Sequence, residues 1–578
     1  MTTRPRAILC LSWVALSAGS APAQTSAEFR LRFGPGEEFA HVRVRYDGCQ
    51  GERLDVAMPA WKPGSYTLHD FGKNVAEISA TDGNGAMLKV EGDDANAWHV
   101  HAKGARSIVI DYSLRTRASS GFGPGFSLGK GLGRPVRDPA EGDAKEGDEP
   151  AGEAKTDGEG ETAPKKPPPR FRAYGFEGPA TWLYVPGRIA IPHKLSFELP
   201  AGWDVATGMT RTAPDQLAFA SSDYDVFADC PFHVGEFERR DFDVDGTRYE
   251  IVWSGFEHDR NDRDAIVARY TTMVRAHHAM WGKPAYDRYV FLISFPGGGG
   301  LEHLNSCDMG MMDLGGSRPD DPSAWDSLAS HEFFHAWNVK RLRPKALGPF
   351  DYAGPNRTRF LWLSEGVTSY YGDLLLVRAG IWDAEHFWLD AIASEIRTLQ
   401  NNPGRLKMSV ADASWTVWDA PYMRRGRTAP DYYNKGMLLG LLLDVEIRDA
   451  TDGKRSLDDV MRAVYEQCMS SGAGFEDADF ERACEKVAGK RMGSFFDKYV
   501  DGTQELPYAK TLSKIGLKVL SPQEQSDAEK TDDKPEGEAK EGDAPRTRPR
   551  RSWLVEIDAK AKKRAVELRE GMTALAVK

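Results

Sequence analysis

Near residue 257 the hydrophobic pattern of this chain changes period, and that change constrains its fold more than any other feature. From residue 27 to about residue 256, apolar and polar residues alternate in short runs, as in His41-Val42-Arg43-Val44-Arg45-Tyr46 and Ser107-Ile108-Val109-Ile110-Asp111-Tyr112, with Asp-Gly and Pro-Gly turns between runs. Period-two alternation sends every second side chain to one face, which predicts half-buried strands in a β-sandwich-like domain. From Asp262 the period becomes helical, broken by one expected strand at residues 289–295 that runs into Pro296 and four glycines. Long helices are expected over 435–447 and 457–469. At 578 residues the chain exceeds what one core can serve, since cores stop growing near roughly 250–300 residues, so an α+β multidomain fold is expected.

Two tracts interrupt the pattern. Residues 134–169 and 521–552 are Glu, Asp, Gly, Ala, Lys and Pro with almost no large apolar side chain, and are expected to stay solvated and disordered. The amino terminus has Arg4 and Arg6, an apolar run over 7–18 and Ala21-Pro22-Ala23, which reads as a secretory signal over 1–23. No other stretch approaches about 20 apolar residues, so the expectation is an exported, periplasmic or secreted protein without a membrane span. The expected domains are therefore 24–256, β-rich; 257–395, catalytic; 396–511, helical; and 512–578, a linker with a short remnant. The net charge is -11 and no basic cluster lies in the folded parts, which disfavours a nucleic-acid partner. Beyond the signal, five cysteines remain. Cys468 and Cys484 could bridge consecutive helices, and the odd number leaves a free thiol.

The chemistry centres on His331-Glu332-Phe333-Phe334-His335. Histidines four apart on a helix project from one face, as two ligands of one tetrahedral metal must, and Glu332 between them points to the open side, placed to deprotonate a water at that metal. A catalytic zinc needs a third protein ligand, and Glu365 in Leu361-Trp362-Leu363-Ser364-Glu365-Gly366 is the candidate, at the start of a following helix. Thr368 and Asp373 further along could hydrogen-bond a ligand. Gly299, Gly300 and Leu301 let backbone approach a substrate, and Glu302 beside them offers a carboxylate to a free α-amino group; His303 is read as structural or a secondary contact. Tyr433 in Tyr432-Tyr433-Asn434-Lys435-Gly436 is placed to donate to an oxyanion.

Together the segments GGGLEH from Gly298, HEFFHAWNVKRLRP from His331, LWLSEGVTSYYGDLLL from Leu361 and YYNKG from Tyr432 resemble the glycyl aminopeptidase family, metallopeptidase family sixty-one, among the thermolysin-like gluzincins. The N-terminal segments beginning Pro59-Ala60-Trp61 and Asp223-Tyr224-Asp225 are similar to that family too. The resemblance implies a thermolysin-like catalytic domain, one Zn2+ held by His331, His335 and Glu365, Glu332 as base, Tyr433 as oxyanion donor and Glu302 as amine anchor. It also implies peptide substrates with a free N-terminus and a preference for glycine or alanine there. Family members usually carry a C-terminal PDZ domain, of which 512–578 would hold only a partial remnant. Two other readings stay open: a zinc endopeptidase of the gluzincin type, and a noncatalytic exported peptide-binding protein with a structural metal.

Overall fold

The computed structural model describes residues 26–34, 37–93, 96–115, 131–132, 173–254, 262–294, 298–310, 325–419, 428–521, 523–525 and 554–574. The expected signal at 1–23, the insert at 134–169 and most of the linker at 521–552 lie outside them.

The alternating region forms three sheets. The largest has eight strands, with Ala27–Arg32 between a parallel neighbour, His193–Glu198, and an antiparallel one, Phe39–Asp47. Phe39–Asp47 shows the strict alternation read from its sequence: Val42, Val44 and Tyr46 face the core while Arg43 and Arg45 face water. A four-stranded sheet centred on Pro231–Gly235 and Ala173–Glu177 covers the inner face. Between them lies an aromatic core in which Trp182 meets Phe29, Phe176, Phe227 and Phe232.

The boundary expected at 256 falls elsewhere in the structure. Glu238–Val244 and Thr247–Ser254 lie before it, yet they belong to the next sheet, where Thr247–Ser254 pairs in parallel with Arg288–Ser294. That five-stranded sheet ends on Ser306–Gly310 and an antiparallel edge strand, Gly300–Glu302. Strand periodicity identifies a strand; which sheet it joins is decided by long-range pairing. The boundary expected at 395 also leaves no seam, because one hydrophobic core extends from this sheet through the helices to Met572.

At the centre of the helical body runs Tyr432–Ala450, whose Leu438, Leu439, Leu441, Leu442 and Leu443 are all buried. Its apolar character on every side fits a helix surrounded by others. Gly366 and Gly436 meet where it crosses the segment 362–367: a Cβ on Gly366 would lie 2.4 Å from the Gly436 Cα, and one on Gly436 would lie 2.2 Å from the Trp362 carbonyl oxygen. Only glycine permits that approach.

The C-terminal segment docks on this body. Leu517–Val519 pairs with Val555–Ile557, and Lys563–Thr573 packs with Met572 fully buried. Buried Arg378 donates to the Met572 carbonyl at 2.9 Å and Arg448 to that of Gly571 at 3.2 Å, two cations at a helix C-terminus. Cys468 and Cys484 are not bridged; all five cysteines described are free and buried. Among the described residues no helix is long and apolar enough to cross a membrane.

Candidate metal centre and active site

The helix Asp326–Phe334 carries His331 and Glu332 and hands over to His335 at its C-terminal end. One turn separates the two imidazoles, and their Nε2 atoms stand 3.0 Å apart. Glu365 reaches the same point from Trp362–Val367, with an oxygen 3.4 Å from His335 Nε2 and 3.8 Å from His331 Nε2. The segment bearing Glu365 is a π-helical turn continuous with the following helix Thr368–Arg378, not a helix start as its sequence suggests. The wider turn is one of the places where functional side chains concentrate.

Three donor atoms separated by 3.0–3.8 Å match the edges of a tetrahedron with metal–ligand bonds near 2.0–2.2 Å. The tautomers agree. His335 Nδ1–H donates to the Asn338 carbonyl at 2.7 Å. Ser369 Oγ donates to the Glu365 carbonyl, which leaves it to accept from His331 Nδ1–H at 3.3 Å. With each Nδ1 so engaged, both Nε2 atoms face each other and a carboxylate; against the pull of burial, Glu365 raises the His335 pKa to about 9 in the absence of a metal, and a dication there would take the place of that proton. The two histidines hold Glu365 well below the usual carboxylate range despite its burial. The donor set fits zinc.

Glu332 differs from expectation in being enclosed, at 5% exposure, rather than on an open side. The edge strand covers it: a Cβ on Gly300 would lie 2.1 Å from Glu332 Oε1, so glycine there lets the strand lie on the carboxylate. Its other oxygen has no partner. Burial pushes the Glu332 carboxyl up to about 8, with His335 opposing and Glu302 and Glu365 adding to the rise; a dication in the cradle would draw that value down.

Glu302 stands at the end of the same strand, 4% exposed, with one oxygen lacking a hydrogen-bond partner. Behind it Lys340 Nζ sits 3.6 Å away and donates to Asp229 at 2.8 Å, and Asp229 accepts the Leu304 backbone N–H at 2.5 Å. Tyr433 lies at the start of the central helix, where the Asp431 side chain caps its N–H, and its ring stacks on His331 at 6.1 Å. Burial and then the nearby Glu365 raise the phenol's pKa, so it stays a donor.

The structure thus gathers His331, His335, Glu365, Glu332, Glu302, Gly300, Leu301 and Tyr433 at one place. His303 is buried, with a nitrogen 3.7 Å from Asp229. Thr368 acts one bond further out, accepting from Asn338, whose carbonyl holds His335. Asp373 does not serve a ligand; it accepts from Ser327.

Sequence reading missed three contributors, although each lies in a segment it singled out. Tyr66, from the β-rich region, donates to Glu365 Oε1 at 3.2 Å. Gly64 has φ +87° and faces Glu302, where a Cβ would lie 2.6 Å from a carboxylate oxygen. Asp229 anchors Lys340. A cleft of about 580 Å³ opens beside them, lined by Trp61, Gly64, Tyr66, Glu302, Val339 and Phe350 among others.

Residues 325–439 match the family model described as M61 glycyl aminopeptidase, and residues 30–134 and 171–236 match the Peptidase M61 N-terminal domain. No curated protein matches the chain by sequence. Among solved structures, an aminopeptidase N family protein from Idiomarina loihiensis is 23% identical with TM-score 0.71, over 86% of this chain and 79% of that one. A mutant M1 zinc metallopeptidase from Deinococcus radiodurans, solved with a Tyr-Ser-Ala substrate, is 14% identical with TM-score 0.52, over 84% and 95%. At these identities the likeness is one of fold.

Proposed function

Because this chain carries the catalytic and N-terminal domains of the M61 glycyl aminopeptidase family, and is by that membership a zinc metallo-aminopeptidase, we propose that it removes small residues, glycine and alanine, from the N-termini of peptides. The observation that carries the exopeptidase reading is Glu302: a buried carboxylate fixed on a strand edge beside Glu332 and His335, with Lys340 behind one oxygen at 3.6 Å and Gly64 leaving the other uncovered. A substrate ammonium would complete it.

In this reading His331, His335 and Glu365 hold zinc, which supplies Lewis acidity to the scissile carbonyl and to the attacking water. Glu332 takes the proton of that water and passes it to the leaving amine. Tyr433 donates to the oxyanion that forms on the carbonyl. Glu302 pairs with the α-ammonium and sets the distance from the N-terminus to the cut bond, while Lys340 and Asp229 keep its carboxylate in place. Gly300, Leu301 and the preceding Gly299 present backbone along the substrate. The preference for small first residues is carried over from the family membership, and Gly64 leaves the Glu302 carboxylate uncovered for an α-ammonium. The edge strand lying antiparallel over a zinc-motif helix supports a thermolysin-like description of this part of the chain. The two C-terminal strands and helix are read as a PDZ-like remnant, and residues 1–23 as an export signal that makes the enzyme periplasmic or secreted.

The test is release of glycine and alanine from chromogenic amides by the zinc-loaded enzyme, with bulky amides and N-acetylated peptides alongside. Glu332→Gln should lower kcat by about 10²–10⁴ with zinc retained, and Glu302→Gln should raise KM for free peptides. Equal cleavage of blocked peptides would make the protein an endopeptidase. Faster release of bulky residues would overturn the small-residue preference.

A further inference from the structure

Away from the metal centre, the central helix buries a second charge whose partner is missing. Lys435 follows Tyr433 by two positions and so points to the other side of the helix, where it is 1% exposed and its Nζ makes no hydrogen bond. It borders a partly open cavity between the helix Ile392–Asn401, the turn Pro403–Leu406 and residues 504–508. An ammonium enclosed without an acceptor is costly, so such groups are normally paired. Here the other charged neighbours are already engaged: Arg405 pairs with Glu505 at 2.6 Å and donates to the Asn402 carbonyl, while Glu395 is taken by Asn434.

We propose that this cavity binds a small organic monocarboxylate, its anionic end on Lys435. One unpaired cation calls for one negative charge. Gln400 and Gln504 add amides able to donate to carboxylate oxygens, and Glu505 at the wall repels a polyanion. Leu399, Leu506 and the Tyr508 ring give an apolar surface for the remainder of the ligand. Burial alone lowers the Lys435 pKa to about 8, so the amine is charged at neutral pH and has room to be stabilised further by a bound anion. None of the residues that would hold zinc or substrate lines this cavity.

Acetate is the probe, added to the zinc-loaded full chain at pH 7 against sodium chloride of equal ionic strength, with melting temperature as the readout. Wild type should show a saturable rise, and Lys435→Met should need at least tenfold more acetate for half the effect. Lys435→Met should also melt above wild type without acetate, because a buried unpaired amine has been replaced by an apolar chain of similar length. If that variant fails to fold, wild type alone still decides: the half-saturating acetate concentration should rise roughly tenfold from pH 7 to pH 9 as the amine loses its proton. Of the groups facing Lys435, Arg405 and Glu505 pair with each other, and Tyr508 keeps its proton, its phenol pKa being raised by burial. An unsaturable acetate effect, an equal one in Lys435→Met, or phosphate binding as tightly as acetate would each overturn the proposal.

Discussion

In the N-terminal sandwich most ion pairs are on the outside, as where Arg43 and Asp111 face each other across neighbouring strands and Arg30 reaches Glu198; Lys62 with Glu177 is the enclosed exception. The helical body has exposed pairs too, such as Lys345 with Glu476, but it adds a set of enclosed ones. Arg378 and Asp458, Arg448 and Asp444, and Lys340 and Asp229 are enclosed, and Tyr370 and Tyr371 donate to the same carboxylates. Both regions have dense aromatic cores, so the difference is not one of apolar content. A sandwich is stabilised by two apolar faces and can leave charge to its surface, whereas the body must hold a charged site, and its cation–anion pairs fix the helices and strand that form it. Such pairs are costly to desolvate and costlier to break singly.

The sharpest way to break this contrast is to remove one partner on each side. Asp458→Ala strands Arg378 in the interior and frees Tyr371, and should cost about 3–5 kcal/mol in chemical denaturation, loosening the C-terminal helix that Arg378 also holds. Asp111→Ala, on the sandwich surface, should cost at most ~1 kcal/mol. Equal losses would mean that burial does not separate the two regions.

Acid probes the sandwich next. His193 is buried between Phe29 and Phe227, and burial lowers its pKa to about 4 from an ordinary 6.5. The unfolded chain takes up the proton first, so the stability this neutral histidine contributes is complete above about pH 6.5 and lost as pH falls toward 4, about 3 kcal/mol in all. The difference in urea midpoint between pH 7 and pH 4.5 should shrink in His193→Phe. His277 in the helical body is also pushed down to about 4, so wild type must be the reference.

Smaller effects test where the regions meet. Tyr66→Phe deletes the hydroxyl that the sandwich gives to Glu365, and should weaken zinc about 10–100-fold in chelator competition while leaving the fold intact. Gly64→Ala puts a Cβ against Glu302 at φ +87°. It should cost about 1–2 kcal/mol of stability and raise KM for free peptides more than it lowers kcat.

Much of this was legible in local pattern. Alternation marked the strands at His41 and Ser107, and the HEFFH spacing placed two imidazoles on one face. SEGV and YNKG carried Glu365 and Tyr433 with the glycines that let their segments touch. These follow from backbone geometry over a few residues, so the sequence alone determines them. Other features were settled only by contacts between residues far apart. Thr247–Ser254 joins the metal-bearing sheet through parallel pairing with Arg288–Ser294. Tyr66 reaches Glu365 across 299 positions. Asp229 holds Lys340 behind Glu302, and Lys435 is left unpaired beside a cavity. A spacing in the chain specifies which face a side chain takes; what it meets there depends on packing between elements that the sequence does not place in order.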